Sequence, residues 1–247
     1  MTQQYGSREE PASPRTAPGS GAVRASLLLR ELLPQDIACH ELLGPGDPAA
    51  LLAEEKPFVG RASLKRACEF AAGRICARAG LEHFGIEGFP LKMGEDRSPR
   101  WPRALCGSIA HTRGYCASAV GAKSRYKAIG LDVEQVAGMS AEVWDHICAP
   151  AEVEWLQRLP EPERARMATL IFSAKEAFYK CQYAVTRQWL EFTDVTVDLT
   201  GWELGAGSFA VRPLGILQLL QHHALPWLGR FRLQDDLVIT TICLAAD

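Results

Sequence analysis

The sequence predicts an α+β protein, because helical and strand-like segments are both present but do not follow the regular strand–helix–strand alternation of a parallel sheet. Three observations carry this prediction. Residues 129–134 alternate apolar and polar side chains with the period of a strand. Ala174, Ala177, Phe178 and Cys181 recur at i, i+3, i+4 and i+7, the apolar stripe that seats a helix on a core. Several short strand-like runs close the chain.

In chain order, residues 1–25 are rich in Ser, Pro, Gly and Arg and nearly free of aliphatic residues. That is the composition of a disordered tail, so the folded chain is expected to start near Ser26. Ser63 is placed to cap a helix that runs to Ala79, with Gly80 ending it. Strands are expected at Gly107–Ile109, Tyr115–Gly121 and Ile129–Glu134, separated by turn residues. Helical stretches follow at Ala141–Ile147 and Ala151–Leu159, bracketed by Pro150 and Pro160, and then a long helix from Glu163 to Val185. Val195–Leu199, Ser208–Val211, Gly229–Leu233 and Leu237–Leu244 are the closing strands. No internal repeat is evident.

At 247 residues with 47% hydrophobic residues, the chain is long enough to bury a substantial core as one large domain or two small ones. Neither a membrane span nor a secretion signal can be drawn, which points to the cytoplasm. The eight cysteines are scattered without C-x-x-C or zinc-ligand spacing and read as reduced packing residues. A net charge of −2 gives no footprint for nucleic acid. Between Arg61 and Arg103, however, nine lysines and arginines face five acids, and an anion suits that stretch.

Two segments carry the chemistry. In Ala128-Ile129-Gly130-Leu131-Asp132-Val133-Glu134 the alternation sends Asp132 and Glu134 to one side of a strand. Their separation of roughly 6–7 Å lets both reach one hard cation through oxygen, and magnesium suits that donor set better than zinc. In Phe172-Ser173-Ala174-Lys175-Glu176-Ala177-Phe178-Tyr179-Lys180, Glu176 and Lys180 share a helix face, with Lys175 and Tyr179 beside them. The exposed side of that helix is expected to carry an acid, two ammonium groups and a phenol. Either segment alone also fits an ordinary solvated face.

Together, at a separation of about forty residues, they resemble the paired signature of the 4'-phosphopantetheinyl transferases, of the larger monomeric kind that activates surfactin synthetase and siderophore synthetases. Further matches are Lys65 to Arg74, Asp96-Arg97-Ser98-Pro99-Arg100-Trp101-Pro102, Gly107 to Thr112, and Thr186 to Phe192. The resemblance covers roughly residues 28–246.

It implies two similar halves, 26–126 and 127–247, each a small antiparallel sheet packed on a helix, with the site in the cleft between them. The implied reaction attacks the β-phosphorus of coenzyme A with a serine hydroxyl of an apo acyl or peptidyl carrier protein, serving fatty acid, polyketide or nonribosomal peptide synthases. By the resemblance, Arg66 and Arg74 hold the 3'-phosphate of coenzyme A, His111 contacts a phosphate, and Arg97 or Lys92 supplies another basic contact. Lys175 and Lys180 neutralise the pyrophosphate. Asp132 and Glu176 bind magnesium, with Glu134 direct or through water, and Glu176 helps deprotonate the serine. Trp189, with Arg187, Leu190 and Phe192 around it, is either part of a carrier-docking surface or a core residue. The other functional classes compatible with these residues are a magnesium-dependent phosphohydrolase or nuclease and a non-catalytic module that binds coenzyme A or carrier proteins.

Overall fold

The structure, a computed structural model, describes residues 21–136, 140–214 and 227–246. Its elements run β1 (Val23–Ala25), α1 (Leu27–Leu32), β2 (Ala38–Leu43), α2 (Leu64–Glu82), β3 (Leu105–Thr112), β4 (Tyr115–Ala122), β5 (Tyr126–Gln135), α3 (Trp144–Ile147), α4 (Pro150–Gln157), α5 (Glu161–Thr186), β6 (Val195–Glu203), β7 (Ala206–Pro213), β8 (Trp227–Gln234) and β9 (Leu237–Ala245). The strands form two sheets, ordered β1-β2-β4-β3 and β5-β9-β8-β7-β6. Every pairing is antiparallel. This is the α+β architecture expected from the sequence. No helix among the described residues is long and apolar enough to cross a membrane.

Each sheet rests on one long helix, α2 on β2 and β4, and α5 on β5 and β9. Ser63 caps α2 as expected, its hydroxyl accepting from the Arg66 N–H at 3.3 Å. Gly80 does not end that helix, which continues to Glu82. A Cβ at Gly80 would lie 2.6 Å from Val120 Cγ2, so the glycine serves the approach of α2 to β4 rather than a stop. In the second layer the stripe of Ala174, Ala177, Phe178 and Cys181 is buried against the sheet. Gly130 matters most there, since a Cβ would fall 1.8 Å from the Ala177 carbonyl oxygen and would push α5 off β5.

The amino-terminal elements were not legible in the sequence. Residues 1–20 lie outside the described residues, but residues 21–25, assigned to the tail by composition, include β1, which pairs with β2. The reason is Glu41, a buried acid on β2. Its carboxylate accepts from Arg24 Nε at 2.9 Å, Ser26 Oγ at 2.8 Å and Tyr115 Oη at 2.7 Å. A buried carboxylate needs such partners, and they tie residues 24–26 to the sheet. The stretch 141–147 is also not one helix, because a 3-10 turn at Ala141–Val143 precedes the short α3.

The two sheets meet edge to edge. β3 and β5 lie side by side, and the Leu131 N–H donates to Ser108 Oγ at 3.1 Å across the seam. The cleft opens along this line.

Candidate active site

A cavity of about 510 Å³ lies where the two sheets meet, lined by α2, β3, the segment 93–101, the start of β5 and the end of α5. Arg66 and Arg74, eight residues apart on α2, both line it. Arg66 is half exposed, and its Nη1 lies 3.1 Å from His111 Nε2. A guanidinium only donates, so Nε2 accepts and the imidazole is neutral. Desolvation, with the Arg66 and Lys180 charges against the opposing Glu69 and Asp132 carboxylates, pulls His111 below the usual imidazole range. Arg74 is buried, donates from Nε to the Leu91 carbonyl at 2.8 Å and lies 3.9 Å over the Phe70 ring. Burial lowers its pKa to about 10, which leaves it charged at neutrality. Of the two alternative basic contacts, Arg97 lines the cleft, whereas Lys92 is exposed and does not.

At the seam, Lys180 reaches from α5 to β5. Its Nζ donates to Asp132 Oδ1 at 2.7 Å and the Leu131 carbonyl at 3.2 Å, and lies 3.9 Å from Glu176 Oε2. Desolvation opposes the charge on Lys180, but Asp132, Glu176 and Glu134 outweigh it and raise the pKa. Burial, then Asp132, pushes Glu134 up to about 7 against the pull of Lys180. Burial also raises Glu176. Two carboxyls held above their normal range beside a third are groups whose ionised forms ask for more positive charge than Lys180 supplies.

The three acids do not stand as a ready-made ligand set. Among the described residues, no group of three or more His, Cys, Asp or Glu side chains is close enough to hold a metal ion, and an ammonium lies between Asp132 and Glu176. Yet Asp132 Oδ2 is buried with no hydrogen-bond partner. An orphaned carboxylate oxygen beside two raised carboxyls fits a hard cation with oxygen ligands.

Lys175 is a correction. It was expected beside the pyrophosphate, but its side chain is 1% exposed and points into the protein. Nζ donates to Glu152 Oε2 at 2.6 Å, the Ile147 carbonyl at 2.9 Å and the Phe192 carbonyl at 3.0 Å. Glu152 also accepts from the Ala149 and Val197 N–H groups, each at 2.7 Å. The pair fastens α3, α4 and β6 to α5, and all three of its donors are used there.

Trp189 is 72% exposed, which removes the core reading. Its ring stands edge-on to Tyr179 at 5.2 Å, and its Nε1 donates to Glu191 Oε1 at 3.3 Å. The neighbours expected to join it turn elsewhere. Leu190 packs on the core, Phe192 lies against Phe172, and Arg187 reaches Asp96 at 2.9 Å. Sequence reasoning missed Asp96, Arg100, Trp101, Lys123 and Arg187 as cleft residues. Their only signal was that some fall inside the matched segments.

Residues 54–121 match the model of the 4'-phosphopantetheinyl transferase N-terminal domain, and residues 128–241 that of the 4'-phosphopantetheinyl transferase superfamily. The chain is 34% identical over 231 residues to the 4'-phosphopantetheinyl transferase PptT of Mycobacterium tuberculosis, covering 91% of this chain and 99% of that one. It is 32% identical to the 4'-phosphopantetheinyl transferase Npt of Nocardia iowensis, covering 88% and 100%. It is 34% identical to the 4'-phosphopantetheinyl transferase Svp of Streptomyces mobaraensis, covering 82% of each chain.

Proposed function

The chain belongs to the 4'-phosphopantetheinyl transferase superfamily, and on that premise we propose that it transfers the 4'-phosphopantetheine moiety of coenzyme A to a serine hydroxyl of an apo acyl or peptidyl carrier protein, releasing 3',5'-ADP. The observation that carries this reading is that Arg66, His111 and Lys180 line one cleft, with Lys180 bonded to Asp132, whose other oxygen is buried without a partner. Cations and acids of that kind suit a phosphate ester that brings its own metal.

The serine oxygen attacks the β-phosphorus, the bond from that phosphorus to the bridging oxygen breaks, and the leaving oxygen departs on 3',5'-ADP. Arg66 and Arg74 hold the 3'-phosphate by charge, with His111 at a phosphate oxygen. Lys180 would neutralise the negative charge that builds as the bridging bond breaks, a role its fixed place between Asp132 and Glu176 suits. Glu176 takes the serine proton, a role suited to a carboxylate of raised pKa. Asp132, Glu176 and Glu134 would hold magnesium, which supplies Lewis-acid neutralisation of the pyrophosphate. The enzyme is read as a cytoplasmic monomer.

Incubation with coenzyme A, magnesium and a panel of apo-carriers, followed by mass measurement, tests the function. The expected result is carrier heavier by one phosphopantetheine. Phosphate release with no carrier modified would favour a phosphohydrolase instead. Two residue-level results are expected as well. Arg66→Ala leaves the melting temperature unchanged but shrinks the preference for coenzyme A over its dephospho form by about tenfold, as loss of a charge-assisted bond predicts. Competition binding of the two coenzymes measures this, and an unchanged ratio would remove Arg66 from the 3'-phosphate. Trp189→Ala raises KM for the apo-carrier with coenzyme A affinity and thermal stability held, as expected of an exposed anchor.

A further inference from the structure

Residues 92–100 form a finger. The Arg100 N–H donates to the Lys92 carbonyl, the Gly94 N–H to the Ser98 carbonyl and the Arg97 N–H to the Gly94 carbonyl, each at 2.9 Å, and Met93 bridges Pro99. At the tip, Asp96 Oδ1 accepts from the Ser98 N–H at 3.1 Å and from Ser98 Oγ at 2.7 Å, while Arg97 is held at φ 62°. The finger belongs to the first half, yet Asp96 Oδ2 accepts from Arg187 Nη1 at 2.9 Å. Arg187 ends α5 in the second half, in the left-handed region at φ 57°. This pair therefore joins the halves at the cleft, in addition to the β3–β5 seam and to α1, whose Glu31 and Leu32 meet Arg232 and Thr241 of the second half. Residues of both halves, Ser108 and Ile129 at the seam and Asp96 and Arg187 at the tie, line the same cleft.

Among the described residues, Glu69 and Asp96 are the only acids that line this basic cleft, and each is engaged by arginine. Glu69 lies 3.3 Å from Arg66, while Asp96 lies 3.4 Å from Arg100 as well as meeting Arg187. The Arg187 side chain is 54% exposed, so the tie stands at the solvent edge. An ion pair at an exposed edge is weak enough to break and re-form readily, and Arg100 and Ser98 keep Asp96 in place when it does. A phosphorylated ligand arriving in the cleft competes for the same guanidinium groups.

We propose that Asp96 is a positioning residue that holds Arg187 across the solvent edge of the cleft, forming a clasp that opens to admit coenzyme A and then slows its escape. The proposal rests on the reading of this cleft as the coenzyme site. Rapid mixing of the full chain with coenzyme A, followed by tryptophan fluorescence, tests it, since Trp101 lines the cleft. Asp96→Asn and Arg187→Gln should each raise both the association and the dissociation rate by about two- to fivefold, the reach of one exposed ion pair, with Kd moving less than either rate. Arg187→Lys, which keeps a cation for Asp96 and leaves the finger tip intact, should hold both rates closer to wild type than Arg187→Gln does. Asp96→Asn and Arg187→Gln variants that bind and release at wild-type rates would overturn the clasp. So would an Arg187→Gln that only speeds release while Asp96→Asn changes nothing, because Arg187 would then be a phosphate ligand in its own right. A wild type that does not bind coenzyme A would overturn the transferase reading and the clasp with it.

Discussion

Asp132→Asn and Glu176→Gln should each lower kcat by at least about a hundredfold, ~2.7 kcal/mol of lost transition-state stabilisation, with folding preserved. Both substitutions keep the shape of the side chain and remove its charge. Asp132 has one oxygen on Lys180 and the other buried without a partner, so the amide changes little in packing but leaves a weaker ligand for a hard cation. Glu176 loses both its place in the cation set and its capacity to take the serine proton. Chelation should likewise stop turnover, and magnesium should restore it. Steady-state rates at saturating magnesium, together with thermal melts, check the prediction. A variant with near-normal activity would take its residue out of the metal and proton-transfer roles.

Lys175→Met should instead act on stability. Removing one partner of a buried ion pair leaves Glu152 charged in the interior and strands the carbonyls of Ile147 and Phe192. Such breaks cost about 3–5 kcal/mol. In a chain of this size that corresponds to a fall in Tm of roughly 6–20 °C. Replacing Glu152 by Gln at the same time should recover part of the loss, because the amide leaves no buried charge behind and its oxygen still accepts from one of the Ala149 and Val197 N–H groups. Calorimetry on the single and double variants measures both effects. If Lys175→Met kept its Tm and lost turnover, the ammonium would have to reach the pyrophosphate after all.

The fate of the two lysines shows how far the sequence could be read. The long helix, its apolar stripe and the Glu176–Lys180 pair were legible because helical period is a local property. Five residues turn a helix by about 140° net, so Lys175 and Lys180 face different surroundings. What surrounds Lys175 is made by α3, α4 and the approach to β6, none of which its own neighbours in sequence announce. Gly80 misled for the same reason. Glycine is a good local stop signal, but contact with Val120 on a distant strand set its use here. β1 and β2 were invisible because Glu41 reads as a surface acid until Arg24, Ser26 and Tyr115 are brought to it.

By itself the sequence determined the α+β class, the strand that aligns Asp132 with Glu134, the helix that places Glu176 one turn from Lys180, and the resemblance to a transferase family. All of these depend on residue spacing within one element, or on motifs repeated in order. Only the tertiary structure decided that Arg66 meets His111, that Lys180 bridges to Asp132, that Lys175 turns inward, and that Asp96 reaches Arg187 across the cleft. Each of those contacts joins segments far apart in the chain. Their partners are chosen by how two sheets pack on two helices and meet at a seam, and no local period encodes that.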